Sequence, residues 1–293
     1  MPYINVRGVE HYYEWMKKPS PVVKPVMVFI HGWAGSARYW KSTAEALLEN
    51  FDCLLYDLRG FGRSRSQPTI VVESELNPEK SQKITEVSYE LEAYAEDLVA
   101  LLDGLQLQRV YINAHSMGAS IATLFFNRYP QRVFQGILTC SGIFEYDEKA
   151  FAAFYKFGGY VVKFRPKWLG KIPFADKMFM ARFLHRPIPK SERQAFLQDF
   201  IDADYETALG TIFTSVSKEQ AEFMPEEFAK LRVPVLLVVG EYDKIIPAEL
   251  GRKAAAMNDK VELALIRNTG HFPMLEDPET YLQRVREFLQ ISN

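Results

Sequence analysis

Val110-Tyr111-Ile112-Asn113-Ala114-His115-Ser116-Met117-Gly118-Ala119 decides how the rest of the chain is read. An apolar, β-branched run ends abruptly in a serine held between small residues, and helix formers follow at once. The pattern predicts a strand, a hairpin-sharp turn and a helix, with Ser116 at the apex. Such a turn strains the backbone of the apical residue and crowds the positions two before and two after it. Small side chains are needed there, and Ala114 and Gly118 supply them. The pentapeptide is a G-x-S-x-G pattern with alanine for its first glycine, a mild change because the requirement is steric.

Outward from this stretch, strands and helices alternate. Tyr3–Val6 and residues 9–15 alternate around Gly8 as an antiparallel hairpin. Pro19, Pro21 and Pro25 precede Val26–Ile30, a solid apolar run of the kind buried on both faces. A helical pattern follows through Tyr39, Trp40, Ala44, Leu47 and Leu48, then a strand over 51–56. Residues 67–86 are polar, contain Pro68 and Pro78, and read as an exposed excursion. Helices are expected over 88–105 and from Met117 to Tyr129, where Pro130 stops the second. Val133–Thr139, residues 235–239 and Val261–Ile266 are further strands; 247–257 and 278–291 are helices. This alternation implies an α/β fold with a mostly parallel sheet flanked by helices.

The alternation fails between residues 144 and 228, where helical periodicity runs without a convincing strand. The chain therefore divides into a core domain, 1–143 and 229–293, and an inserted helical cap, 144–228. The cap is rich in aromatics: Phe151, Phe154, Tyr155, Phe157, Tyr160, Phe164, Trp168, Phe174, Phe179, Phe183, Phe196, Phe200 and Phe213. In open α/β sheets ligands bind beyond the carboxyl ends of the strands, so the cap would roof the site.

Composition narrows the function classes. Hydrophobic residues at 48% and charged residues at 25% are the balance of an ordinary globular protein. A net charge of −2 gives no bulk electrostatic reason to expect nucleic-acid binding. Cys53 and Cys140 fall in or beside strands and read as small core residues, which fits a reducing, cytoplasmic setting. The first residues lack the apolar core of a signal peptide, and no run approaches the ~18 apolar residues of a membrane span. Oligomeric state cannot be read from the chain.

Ser116 as a nucleophile needs a base, because a free hydroxyl attacks poorly at neutral pH. Of the five histidines, His271 lies in Asn268-Thr269-Gly270-His271-Phe272-Pro273, between the last strand and the last helix. That loop opens on the same sheet edge as the turn at Ser116. The base needs an acid, and Asp243 follows the strand at 235–239. Glu241 competes with it, and Glu145 and Asp147 are more distant rivals. An oxyanion site needs backbone N–H groups, expected from Met117 and from Trp33 in the tight His31-Gly32-Trp33 turn. Trp33 would also wall the pocket, while His31 reads as a brace of its loop.

Five stretches in this order resemble the α/β-hydrolase superfamily, in its serine-nucleophile, helical-capped, esterase-like branch. They are His31-Gly32-Trp33, Asp57-Leu58-Arg59-Gly60-Phe61-Gly62-Arg63-Ser64, Ala114-His115-Ser116-Met117-Gly118, Gly240-Glu241-Tyr242-Asp243-Lys244-Ile245-Ile246-Pro247, and Thr269-Gly270-His271-Phe272-Pro273-Met274-Leu275-Glu276-Asp277-Pro278. The resemblance implies the fold, the order Ser116, Asp243, His271 for the catalytic residues, and structural roles for Asp57, Arg59 and His115. Serine at 116 argues against the aspartate-nucleophile relatives, the haloalkane dehalogenases and soluble epoxide hydrolases.

The expected chemistry is acyl transfer on a carboxylic ester of a hydrophobic small molecule or lipid, without metal or organic cofactor. Three alternatives stay open at this level. A carbon–carbon bond hydrolase of ring-cleavage products would need a cap Arg or Lys facing Ser116. A proline-iminopeptidase-like peptidase would need cap carboxylates, with Glu145, Asp199, Asp202, Asp204 and Glu206 as candidates. A triad-retaining small-molecule receptor would show slow turnover and ligand-dependent cap movement. Lys156, Lys163, Arg165, Lys167, Lys171 and Lys177 also make the cap basic, so it is a candidate for peripheral contact with a membrane surface. Burial of all its aromatics would remove that reading.

Overall fold

Five apolar strands form the spine of the sheet: β3 (Val26–Ile30), β4 (Asp52–Tyr56), β5 (Val110–His115), β6 (Val133–Thr139) and β7 (Val235–Gly240). Most of their residues are buried, so both faces of the sheet must be covered. The computed structural model describes residues 2–66, 88–144 and 147–292. The excursion at 67–86 and Glu145 lie outside the described residues. So do the side chains of Phe151, Phe154 and Phe157.

With β1 (Tyr3–Val6), β2 (Val9–Met16) and β8 (Val261–Ile266), the strands make one eight-stranded sheet in the order β1-β2-β4-β3-β5-β6-β7-β8. β1 and β2 pair antiparallel, β2 runs antiparallel to β4, and the remaining pairs are parallel. The register pairs Ile30 with Ala114 and His115 with Thr139, so the carboxyl ends of the central strands finish nearly level. Every loop expected to carry chemistry leaves from this edge.

One face is covered by α2 (Leu91–Gly104) and α3 (Met117–Arg128), whose Tyr94, Leu98, Phe125 and Phe126 are buried. The other is covered by α1 (Lys41–Glu45) and α11 (Pro278–Leu289), with Trp40, Tyr281 and Val285 buried beside Phe29 and Leu55, whereas Ala248 and Ala254 of α9 (Ala248–Ala255) are buried in the core that α2 and α3 cover. Each large apolar side chain buried this way contributes about 1.5–3 kcal/mol. The helix expected through residues 39–48 is a 3₁₀ turn, Ala37–Trp40, followed by the short α1. The Trp40 indole donates to the Ile30 carbonyl at 3.2 Å, and that anchor fixes the tight turn.

Between β6 and β7 the described residues contain helices and no strand. They are α4 (Glu148–Lys163), a 3₁₀ turn at Lys167–Lys171, α5 (Ala175–Met180), α6 (Lys190–Asp202), α7 (Tyr205–Ser215) and α8 (Lys218–Ala229). The short α10 (Pro273–Glu276) completes the set. No described helix is long and apolar enough to cross a membrane.

Candidate active site

Ser116 caps the N-terminus of α3 with φ 54° and ψ −123°, a conformation rare for a residue with a side chain. Such strain costs about 1–3 kcal/mol and persists only where the surroundings enforce it. Here the Ser116 N–H donates to the Thr139 carbonyl at 2.9 Å, and the Ser116 carbonyl accepts from Ala119 at 2.8 Å. A side chain at Gly118 would put its Cβ 2.4 Å from the His31 carbonyl oxygen, and Ala114 is fully buried. The steric need for small residues on both sides is thus met.

The turn lifts the Ser116 hydroxyl to 3.1 Å from His271 Nε2. His271 Nδ1 lies 2.7 Å from Asp243 Oδ2. The carboxylate assigns the tautomer: Nδ1–H donates to Asp243, leaving Nε2 to accept from Ser116 Oγ–H. The other Asp243 oxygen accepts from the Ile245 and Ile246 N–H groups at 2.7 and 3.0 Å, so the acid cannot rotate away. His271 is buried and Ser116 half-buried, which shields the imidazole and leaves the hydroxyl accessible. The rival Glu241 instead accepts from the Asn268 N–H at 2.9 Å and fastens the loop that carries His271. Asp147 is exposed.

Met117 opens α3, so its N–H has no intrahelical acceptor, and Trp33 follows β3 at the same edge. Neither N–H has an acceptor among the described residues. Behind them runs a buried relay that sequence periodicity did not single out. The Gly32 N–H donates to Tyr39 Oη at 2.6 Å, Tyr39 Oη–H to His115 Nδ1 at 3.0 Å, and His115 Nε2–H to the His271 carbonyl at 2.7 Å. Burial, reinforced by nearby His271, holds the His115 imidazole well below its usual range, so the ring is neutral as the relay requires. Tyr39 thereby couples the Trp33 turn to the backbone of His271; its only sequence signal is its place eight residues after His31.

The Trp33 side chain ties its turn to the helices after β6. Its indole N–H donates to the Ala208 carbonyl of α7 at 2.9 Å, and its ring lies 6.0 Å from that of Phe200 on α6. His31 is structural: Nδ1–H donates to the Gly32 carbonyl and Nε2 accepts from the Leu58 N–H, each at 2.8 Å. Asp57 is fully buried and accepts from the Ala37 N–H and from Arg63. Burial pulls its carboxyl up, but Arg63, His31 and the Ala37 N–H together outweigh this and hold it below the usual range. Arg59 pairs with Asp97 at 2.9 Å.

Two carboxylates fasten the helices after β6 to the sheet edge that carries Ser116 and His271. Glu276 accepts from the Gly270 and Phe272 N–H groups on one side and from His185 and Arg186 on the other, at 2.7–3.2 Å. The His271 N–H itself donates to the Phe183 carbonyl at 2.7 Å. Asp199 accepts from Ser36 Oγ at 2.6 Å and pairs with Arg38 at 3.0 Å. Burial pushes the Asp199 carboxyl up to about 6, against the pull of both partners. Glu276 stands within a recognisable motif, but nothing in the sequence distinguishes it as a clip.

Among the described residues one group has metal-ligand geometry: the donor atoms of His115, Cys140 and His271 lie within 4.8 Å of one another. It does not fit an ion. Both histidines have each ring nitrogen engaged in the bonds above. Burial, with Asp243 nearby, pushes the Cys140 thiol well up, so no thiolate is on offer.

The chain is 24% identical over 286 residues to the uncharacterized hydrolase YugF of Bacillus subtilis, covering 98% of this chain and 96% of that protein. It is 27% identical to the human protein ABHD8 over 269 residues, 90% of this chain but 55% of the longer relative. The enol-lactonase from Burkholderia xenovorans superposes with a TM-score of 0.77 at 17% identity, covering 99% of this chain and 100% of that one. That likeness concerns the fold alone. The model of the alpha/beta hydrolase fold family matches residues 25–278, a span that contains the Ser116 turn, Asp243 and His271. The chain belongs to the alpha/beta hydrolase family.

Proposed function

We propose that the protein is a serine hydrolase cleaving carboxylic esters of hydrophobic small molecules or lipids. The observation that carries this is the continuous chain from Ser116 Oγ through His271 to Asp243, built on a strained turn at the sheet edge. His271 Nε2 takes the Ser116 proton as Oγ attacks the ester carbonyl. The Trp33 and Met117 N–H groups hold the oxyanion, each donor being free of an acceptor among the described residues. Collapse of the tetrahedral intermediate expels the alcohol, which takes its proton from His271. Water, deprotonated by the same nitrogen, then releases the acid. Asp243 holds the tautomer and stabilises the imidazolium in both steps.

In this reading residues 144–228 act as the cap. Phe179, Phe183 and Phe200 with Trp33 offer an apolar underside near His271, which favours an apolar acyl or alcohol group. Ester cleavage is favoured over its alternatives by how the cap's charges are spent. Arg165 donates to the Val162, Phe200 and Ala203 carbonyls, Arg193 pairs with Asp176 and Arg186 with Asp277. These bonds leave them poorly suited to clamp the acidic end of a ring-cleavage product. Asp199 is held by Ser36 and Arg38, and Asp204 caps α7, so neither is disposed to receive a substrate amine. An esterase from Exiguobacterium antarcticum and the enol-lactonase share this fold and agree with the choice, although a meta-cleavage product hydrolase from Pseudomonas fluorescens shares it too.

A p-nitrophenyl ester series of rising acyl length tests the reading. Turnover should fall by about 10⁴-fold or more in Ser116→Ala, with an optimum at a medium or long chain. A folded parent that cleaves no member of the series, or equal turnover in the variant, refutes it.

A further inference from the structure

Tyr160, Phe164, Trp168, Ile172, Phe174 and Met178 recur along one segment and are 41–77% exposed. Tyr160, Phe164, Trp168 and Ile172 follow at every fourth residue through the end of α4 and the 3₁₀ turn, and Phe174 and Met178 carry the series on to α5. The alternate face of the same segment points inward: Val162, Ala175 and Met180 are buried, and Phe179 stacks on Phe200 at 4.8 Å. Phe174 takes the left-handed conformation, φ 65°, an uncommon one for a bulky residue, and is 74% exposed. Beside the stripe runs an open groove of about 320 Å³ between Phe164, Arg165, Ile201 and Tyr205. Seven of the thirteen exposed large hydrophobic side chains among the described residues come from this one surface, so it is a patch and not scatter.

Its charge is as uneven as its polarity. Lys156, Lys163, Lys167, Lys171 and Lys177 are exposed, and none has an ion-pair partner among the described residues. The sole acid between residues 156 and 178, Asp176, is buried and bound to Arg193. A chain of net charge −2 thus gathers five exposed lysines, without ion-pair partners among the described residues, along this aromatic segment. Aromatic rings and lysines suit the boundary between acyl chains and headgroups, where rings and lysine stems enter the apolar layer and ammonium groups meet anionic phosphates.

We propose that this outer face of the cap docks the protein on the surface of an anionic lipid bilayer. The aromatic stripe enters the interfacial layer and the lysines pair with lipid phosphates. Docking requires nothing of Ser116, so it stands or falls separately from ester hydrolysis.

The test is co-sedimentation with vesicles of phosphatidylcholine alone and of phosphatidylcholine mixed with phosphatidylglycerol. The full chain should bind the mixed vesicles, lose most binding as salt rises from ~0.1 to ~0.5 M, and bind pure phosphatidylcholine weakly. Lys167→Glu with Lys171→Glu, and separately Trp168→Ala with Phe174→Ala, should each lower binding about tenfold or more. Both double variants should keep the parent's melting temperature and its turnover of a short soluble ester. Ser116→Ala should bind vesicles like the parent. Absence of binding, equal binding to both vesicle types, or variants that bind like the parent would overturn the proposal. So would parent dimers, seen by light scattering and lost in Trp168→Ala with Phe174→Ala, without vesicle binding: the face would then be covered by a second copy of the chain.

Discussion

The helices between β6 and β7 carry aromatics on two faces that share a composition and differ in circumstance. On the inner face Phe196 stacks on Tyr39 at 5.1 Å, Phe200 lies between Trp33 and Phe179, and Phe183 approaches His271. The polar groups there are tied to the core by Glu276 and Asp199. On the outer face Tyr160, Phe164, Trp168, Phe174 and Met178 meet no comparable partner surface and stand among exposed lysines. Helical periodicity gives a residue a face but not what lies against it. The difference teaches that aromatic richness in this segment serves two ends, attachment over Ser116 on one side and an external surface on the other.

The contrast is sharpest in stability. Phe200→Ala removes a buried ring from the inner face and should cost about 3–5 kcal/mol, lowering the melting temperature by roughly 10 °C in a thermal unfolding scan. A loss under ~1 kcal/mol would mean the inner face is not packed as described. Glu276→Ala leaves buried N–H groups of both the His271 loop and the His185 segment without an acceptor. It should cost about 2–4 kcal/mol and slow ester turnover as well. Unchanged turnover in a folded Glu276→Ala protein would show that the clip does not position His271.

A smaller effect follows from Asp199. Its folded carboxyl titrates near 6, above the ordinary Asp value of 3.8, so the folded state binds more protons between these values. Stability from this group is therefore greatest below about pH 4 and falls as pH rises through about 6. Asp199→Asn, which lacks the charge, should gain a few degrees in melting temperature over the parent at neutral pH and lose that advantage at acid pH. An advantage that is constant across the range would contradict the buried setting. Smallest of all, Phe174→Ala and Met178→Ala on the outer face should change stability by no more than ~0.5 kcal/mol. A large loss there would erase the distinction between the faces.

Much of this was legible beforehand because the responsible forces are local. The solid runs at Val26–Ile30 and Val133–Thr139 can be satisfied only by burial on both faces, and the strand limits follow. Ala114 and Gly118 betray the turn because sterics leave no other choice, and Asp243 and His271 stand just past strands whose ends the register brings level. What sequence could not reveal depends on long-range geometry. Tyr39 is an ordinary helical-period residue until the fold brings it to His115, 76 positions away. Glu276 and Asp199 look like solvated acids until the helices after β6 fold over the edge. The helix expected near Trp40 gave way to a 3₁₀ turn because the indole's bond to Ile30 outweighs local propensity.

The central claim is that His271 makes Ser116 a nucleophile. Mass spectrometry of the protein treated with a fluorophosphonate tests it directly, since attack by Ser116 Oγ displaces fluoride and leaves a stable phosphonyl ester. One adduct on the Ser116 peptide is expected in the parent, none in Ser116→Ala, and labelling slowed by about 10³-fold or more in His271→Ala. Labelling at another residue, or at Ser116 with equal speed without His271, would contradict the account.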